Sequence, residues 1–177
     1  MRAGTEYNEE PLRARSRLLP AFLVSLSAVF VLAATAAASA QEMIREQKVI
    51  TSTGARALAD ACTAYAAKND QIVAVAVLDW GGNVLESHAM DGAAGNAIDT
   101  ALLKAKSALR WRRPTSETNQ MVRSGQNLAP TFMTDFPQPG ALPIMVDVQV
   151  VGAIGVSGAT GEKCVQGVSD AVLRQPA

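Results

Sequence analysis

The chain has 177 residues, of which 16 are basic, 16 are acidic, two are cysteines and one is a histidine. This length suits one domain once a leader segment is removed. The part after residue 40 holds 12 basic and 13 acidic residues, so its formal net charge is −1. That balance argues against nucleic-acid binding and against a polybasic membrane-binding surface. A single histidine also disfavours a zinc site built from imidazoles.

Residues 1–40 have the organisation of a signal peptide. Spaced arginines at 13–17 precede an apolar run at 18–37, and Ala38-Ser39-Ala40 offers the small side chains that signal peptidase requires. We predict cleavage there and export of residues 41–177 to the periplasm or the medium, with no stable membrane association afterwards. The alternative is an uncleaved anchor, because the apolar run is just long enough to span a bilayer.

Two cysteines remain in the exported part, Cys62 and Cys164. An oxidising compartment favours their pairing as a disulfide. Periodicity predicts a helix over 51–68 with Cys62 on its apolar stripe, and a last helix that starts near Thr160 and carries Cys164. The two thiols can meet only if these helices pack side by side on the same face of a sheet.

The rest of the chain alternates hairpins with helices. Apolar runs and turn residues predict four strands, at 72–79, 84–90, 142–146 and 149–157. The remaining predicted elements are a helix over 96–110 with Lys104 off its apolar stripe, a short helix capped by Thr115, and a long loop or lid over 124–142. This order indicates an α+β fold with an antiparallel sheet and helices packed against it.

Several short patterns suggest chemistry without proving it. Gly155-Val156-Ser157-Gly158-Ala159 nearly matches a nucleophile elbow, but a plain strand end explains it better. The Gly158–Gly161 turn could bind a carboxylate or phosphate, or simply begin a helix. Carboxylates at Asp79, Asp91 and Asp99 could transfer protons, although turns and helix caps also use aspartate.

The single histidine, His88, shares a predicted strand face with Met90. Both side chains are haem-iron ligands in other proteins. Because they are two residues apart on one strand, they cannot bind one iron from opposite sides. A surface histidine on a sheet is the simpler interpretation.

Six segments in order resemble the GlcG/HbpS-like family, which includes the C-terminal domain of PduO-type cobalamin adenosyltransferases. They are AVAVLDWGGNVL at 74–85, MDGA at 90–93, IDTALLKAKSA at 98–108, RRPTSE at 112–117, PGALPI at 139–144 and VVGAIGVSGATGEKC at 150–164. The resemblance implies a profilin-like antiparallel sheet of about five strands, with the fifth from 124–142 or from the start of the domain. It also implies homo-oligomers, and cysteines near these two positions in exported members.

The resemblance also implies a small-molecule ligand, haem or another tetrapyrrole, bound in a cleft. On this hypothesis His88 or Thr115 reaches the iron, and Lys104 or Arg112 meets the propionates. Other members of the predicted site are Met90 and Phe132, which cover the ring, and the turn at Ser157 and Gly158. Some exported relatives carry a histidine where this chain has Asn96, which weakens the haem hypothesis.

Two rival functions remain open at this stage. One is an enzyme that acts on a small oxo- or hydroxy-acid, with Asp91 or Asp99 as the base and Lys104 as the electrostatic partner. The other is an accessory protein for sensing or catabolism, whose surface matters more than any pocket.

Overall fold

The computed structural model describes residues 46–158 and 163–164. The predicted signal peptide, the domain start at 41 and most of the last predicted helix lie outside these residues. The elements, in chain order, are α1 Ser52–Lys68, β1 Ala74–Asp79, β2 Val84–Ala89, α2 Ala97–Trp111, α3 Thr115–Arg123, α4 Ala129–Phe132, β3 Ala141–Val146 and β4 Gln149–Ser157. No helix within these residues is long and apolar enough to cross a membrane.

Two hairpins form one antiparallel sheet in the order β2-β1-β4-β3. β1 lies at the centre, with Val75 opposite His88 on one side and opposite Val156 on the other. The predicted α+β fold with an antiparallel sheet is therefore confirmed. The strand count is corrected: the described residues form four strands, not five. The stretch 124–140 contains the single turn α4 and three prolines, which lack the N–H that a strand ladder needs.

The first face of the sheet is covered by α1. Apolar residues recur along this helix, so one stripe is buried against the strands. The resulting core consists of Ala55, Leu58, Ala59, Cys62, Ala66, Val73, Val75, Val77, Ile144, Val151, Ile154, Val156 and Cys164. Because β1 alternates between the two faces, Val75 and Val77 point toward α1 while Leu78 points away from it.

The predicted disulfide between Cys62 and Cys164 is present. Their Cα atoms lie 5.2 Å apart, within the range that a disulfide spans. Cys62 is fully buried on the sheet side of α1, and Lys163 and Cys164 are helical. The bridge therefore brings the chain near Cys164 onto the α1 face. The rest of the apolar stripe predicted for the last helix lies outside the described residues.

The second face is covered by α2, which approaches the sheet very closely. Its buried side chains are mostly small: Ala97, Ala101, Lys104, Ala105, Ser107 and Ala108. A Cβ added at Gly155 of β4 would lie 2.1 Å from the Ala101 carbonyl oxygen. The helix backbone thus rests directly on a strand backbone, and only glycine fits there.

The structure corrects the expected position of Lys104. It belongs to the buried face of α2, and only 8% of it is exposed. Its ammonium group donates a hydrogen bond to the Val156 carbonyl oxygen at 3.2 Å. A long flexible stem can thus run along the alanine-rich face while its charged end reaches a polar group at the end of β4.

The segment between α4 and β3 is held on α2 by a buried carboxylate. Only 1% of the Asp135 side chain is exposed. Trp111 donates a 2.8 Å hydrogen bond to its Oδ2, and Arg110 Nη1 lies 3.2 Å from Oδ1 in an ion pair that is not aligned as a hydrogen bond. The Phe136 N–H also donates to the Ser107 hydroxyl at 2.6 Å. This part of the predicted lid is thus fixed to the helix.

The predicted capping role of Thr115 is also corrected. Pro114 occupies the N-cap position of α3, and Thr115 is the first helical residue. The buried Thr115 hydroxyl accepts a 3.0 Å hydrogen bond from the Ala141 N–H. It therefore connects α3 to the start of β3 rather than satisfying the helix end.

The turn of the first hairpin is organised by Asp79. Its carboxylate accepts 2.8 Å hydrogen bonds from the backbone N–H and the side-chain amide of Asn83. Partial burial alone would raise the pKa of Asp79, but these bonds, together with those from the Gly81 and Gly82 N–H groups, lower it below the usual value. The charged form of Asp79 is thus the form that stabilises the turn.

We expect Asp79→Asn to destabilise the domain by about 1 kcal/mol at pH 6, a figure kept small because the group is partly exposed to solvent. A carboxyl whose pKa is lowered by folding contributes stability above its unfolded pKa of about 3.9 and loses it as pH falls through the folded value. The difference in unfolding free energy between wild type and variant should therefore shrink between pH 6 and pH 2 in urea titrations. A constant difference over that range would contradict this role of the charge.

Candidate functional site

An open cleft of about 500 Å³ lies between α1 and the end of β2. Its lining combines one helix face with the last residues of the strand and the turn that follows: Asp60, Thr63, Ala64, Ala67, His88, Ala89, Met90 and Asp91. It contains the chain's single histidine. We therefore treat it as the candidate ligand site.

The sheet register brings His88 to this cleft. His88 is paired with Val75, whose side chain packs in the α1 core, so the imidazole also lies on the α1 face. The next residue on that face, Met90, is partly buried against the core, and its N–H donates to the Val73 carbonyl oxygen at 3.0 Å. The imidazole is exposed at the rim, while the thioether lies deeper.

The rim of the cleft is acidic. Asp60 from α1 and Asp91 after β2 both line it and are exposed. The Thr63 hydroxyl is satisfied within its own helix by the Ala59 and Asp60 carbonyl oxygens. Two carboxylates beside an imidazole favour a cationic or metal-bearing group over a free anion.

The neighbouring acidic residue on the same strand face is already paired. Glu86 forms a 2.8 Å ion pair with Arg56 of α1, and only 10% of the Glu86 side chain is exposed. This pair fixes the Glu86 carboxylate two residues before His88. It also ties β2 to α1 beside the cleft.

A second group of predicted site residues lies on the opposite face of the sheet. Lys104, on the buried side of α2, reaches the end of β4 just before Ser157 and Gly158. A Cβ added at Gly140 would lie 3.0 Å from the Lys104 Nζ, so this glycine lets the amine and the start of β3 come together. Gly158 has φ 124°, and a Cβ there would lie 2.5 Å from the Ile72 carbonyl oxygen.

The remaining predicted site residues are separate from both groups. Arg112 ends α2 in a left-handed conformation with φ 52°, two helical turns beyond Lys104, and is exposed. Phe132 is 85% exposed at the end of α4. Asp99 lies exposed in the first turn of α2. The predicted residues therefore do not form one continuous site.

Sequence reasoning missed the α1 side of the cleft. The cleft residues of α1 follow the spacing i, i+3, i+4, i+7 and so form a stripe along the helix: Asp60, Thr63, Ala64 and Ala67. The spacing of this stripe can be found in the sequence, but its position beside the end of β2 depends on the order of the strands. No group of three or more His, Cys, Asp or Glu side chains that could hold a metal ion occurs within 46–158 and 163–164.

The chain is similar to several known proteins. It is 34% identical over 127 residues to an uncharacterized 15.0 kDa protein of Citrobacter freundii, covering 68% of this chain and 89% of that protein. It is 33% identical over 114 residues to the protein GlcG of Escherichia coli K12, covering 64% and 85%. The crystal structure of a double mutant of Streptomyces reticuli HbpS matches with a TM-score of 0.66 and 30% identity, covering 76% and 94%.

The family model described as "Haem degrading protein HbpS-like" matches residues 50–172. This match includes α1, the whole sheet, α2 and both cysteines. The chain therefore belongs to the HbpS-like family.

Proposed function

We propose that this protein is exported and binds haem or a related tetrapyrrole in the cleft that contains His88. It does so as a homo-oligomer in the periplasm or outside the cell, in an accessory role for sensing or catabolism. The observation that carries the proposal is the exposed imidazole at an open cleft, in a chain whose family is described as haem degrading.

The residues of the cleft fit such a ligand in three respects. Imidazole, the side chain of His88, is a common ligand of haem iron. The alanine side chains at 64 and 67 offer apolar wall segments for part of a ring. The carboxylates of Asp60 and Asp91 would repel propionates and would therefore favour a ligand whose propionates stay in solvent.

The side chains of the cleft would have different roles in binding the ligand. His88 would hold and orient the ligand, and Met90 would close the inner end of the cleft. The bound haem would supply a redox-active iron. The Arg56–Glu86 ion pair connects α1 to β2 beside the cleft.

A haemin titration of the mature protein tests this proposal. We expect a shifted Soret band that saturates near one equivalent per subunit, and at least a tenfold weaker affinity in His88→Ala. Lys106→Gln, an exposed change on α2 across the sheet, is the matched control and should titrate like the wild type. A linear, non-saturating rise in absorbance for the wild type would exclude a specific site.

Export is tested separately by the mass of the protein recovered from its native host. Cleavage after Ala40 predicts a chain that starts at Gln41 in the periplasmic or extracellular fraction. A full-length chain in the membrane fraction would replace cleavage with the anchor alternative.

A second candidate function is supported by the buried amine of Lys104. A nearly buried ammonium group at a sheet end can stabilise negative charge on an oxo- or hydroxy-acid. The predicted bases lie outside this group, because Asp91 lines the cleft on the α1 face and Asp99 is exposed in the first turn of α2. The test is exchange of the proton next to the substrate carbonyl with deuterated water, followed by NMR over a panel of such acids. An enzyme predicts exchange that falls roughly a hundredfold or more in Lys104→Met; no exchange with any acid removes this candidate.

A further inference from the structure

The two outer strands of the sheet differ in how their free edges are protected. At β3, the outward N–H of Ala141 is bound by the Thr115 hydroxyl, and the next outward position is Pro143, which has no N–H. These are recognised ways to prevent an edge strand from pairing with another chain. The β3 edge is therefore closed to further strands.

The edge of β2 has no such protection. The Met90 N–H donates to the Val73 carbonyl oxygen, so the backbone groups of Met90 face β1. By alternation the backbone groups of residues 88 and 86 also face β1, whereas those of Ser87 and Ala89 face the free edge. Both residues are exposed, and within the described part of the chain their outward N–H and C=O groups make no hydrogen bond. β2 contains no proline and no lysine.

We propose that β2 pairs antiparallel with β2 of a second copy of this chain, around a two-fold axis at Ser87, to give one eight-stranded sheet. This inference rests on the self-association included in the proposed function and identifies its interface. It uses backbone groups that are already outward, so the edge pairs without rearrangement.

The side chains on the α1 face favour this register over one centred on Glu86, because an imidazole N–H can donate to a carboxylate. A two-fold axis at Ser87 places Glu86 of each copy opposite His88 of the partner subunit. Both of these pairs are non-hydrogen-bonded pairs, in which the side chains come closest together. An axis at Glu86 would instead oppose two carboxylates. The Arg56 ion pair already orders the Glu86 carboxylate, so little further entropy is lost when it meets the imidazole.

The same register joins the two ligand clefts. His88 and the partner subunit's His88 would be diagonal neighbours on one face, about 7–8 Å apart. Each cleft is bordered by the end of β2, so the two clefts would lie next to each other across the interface. The dimer thus offers a larger site than the cleft of about 500 Å³ in one subunit.

Cysteine cross-linking tests the register. In Ser87→Cys the native cysteines stay paired with each other, and the new thiols of two copies would have Cα atoms about 5.5 Å apart, suited to a disulfide. With oxidised glutathione, which takes up two electrons and leaves as two reduced thiols, we expect rapid and complete cross-linking at low micromolar protein. The control, Val148→Cys on the 92% exposed β3–β4 turn, should cross-link at least tenfold more slowly. Equal rates for the two variants would overturn the proposal.

A charge exchange at His88 gives an independent test by sedimentation equilibrium. We expect His88→Glu to weaken the dimer about tenfold or more, because it places a second carboxylate opposite Glu86 of the partner subunit. We expect His88→Lys to dimerise as tightly as the wild type or tighter, because it places a cation there. Identical dissociation constants for both variants would exclude this interface while leaving self-association intact. A wild-type protein that is monomeric at all concentrations would remove self-association itself, whereas the haemin titration decides ligand binding.

Discussion

Gly155→Ala is expected to destabilise the domain by about 3 kcal/mol or more, which for a domain of this size corresponds to a Tm lowered by roughly 10 °C. The added Cβ would lie 2.1 Å from the Ala101 carbonyl oxygen and 2.7 Å from the Ala105 nitrogen. Both are backbone atoms of α2, so no side chain can rotate away to relieve the clash. The helix must instead lift from β4, and the alanine contacts on this face are lost.

The matched control is Gly95→Ala, in the loop before α2. A Cβ at Gly95 meets nothing within 4 Å, and its backbone is not in the left-handed region. We expect its stability to be unchanged or to rise by up to about 1 kcal/mol, because alanine restricts the unfolded chain. Equilibrium urea unfolding of the three proteins measures both effects. Equal stability of Gly155→Ala and wild type would contradict the close approach of α2 to the sheet.

The second large effect is expected at the disulfide. Cys62 and Cys164 are 102 residues apart in sequence, and a bridge that closes a loop of this length restricts the unfolded chain by about 4–5 kcal/mol in the entropy model. Replacing both cysteines with alanine should therefore lower the free energy of unfolding by roughly that amount. Both positions are buried, so the lost sulfur contacts add to the loss.

Reduction separates these two contributions. Dithiothreitol should lower the unfolding midpoint of the wild type and leave that of the double alanine variant unchanged. A wild type that is insensitive to the reductant, and whose two thiols are labelled without reduction, would show that the protein does not carry the bridge.

Most of the fold could be predicted because its signals are local. The β-branched run that forms β1, the Trp80–Asn83 turn and the two apolar helix stripes each depend on nearest neighbours, and pairing of Cys62 with Cys164 then fixed the arrangement of the α1 face. The burial of Lys104 could not be predicted from its neighbours in the sequence. It is buried because Gly155 and the alanines of α2 allow a close approach, a property of two segments that are far apart in sequence.

The candidate site could be predicted only in part, for a related physical reason. His88 and Met90 share a strand face, which follows from the alternation of side chains along a strand. Which helix covers that face depends on the order of the strands, so the α1 wall with Asp60 and Thr63 was missed. The sequence predicted His88 and Lys104 in one cleft, but they lie on opposite faces of the sheet.

The most direct test of the account is to map where a tetrapyrrole binds. Gallium protoporphyrin is diamagnetic, so its effect on the amide NMR signals of the mature protein can be followed residue by residue. We predict that the largest shifts fall on residues that line the His88 cleft, at Thr63, Ala64, Ala67 and Ala89, and saturate together. Shifts confined to the α2 face around Lys104 and Gly140 would contradict the assignment of the His88 cleft as the ligand site.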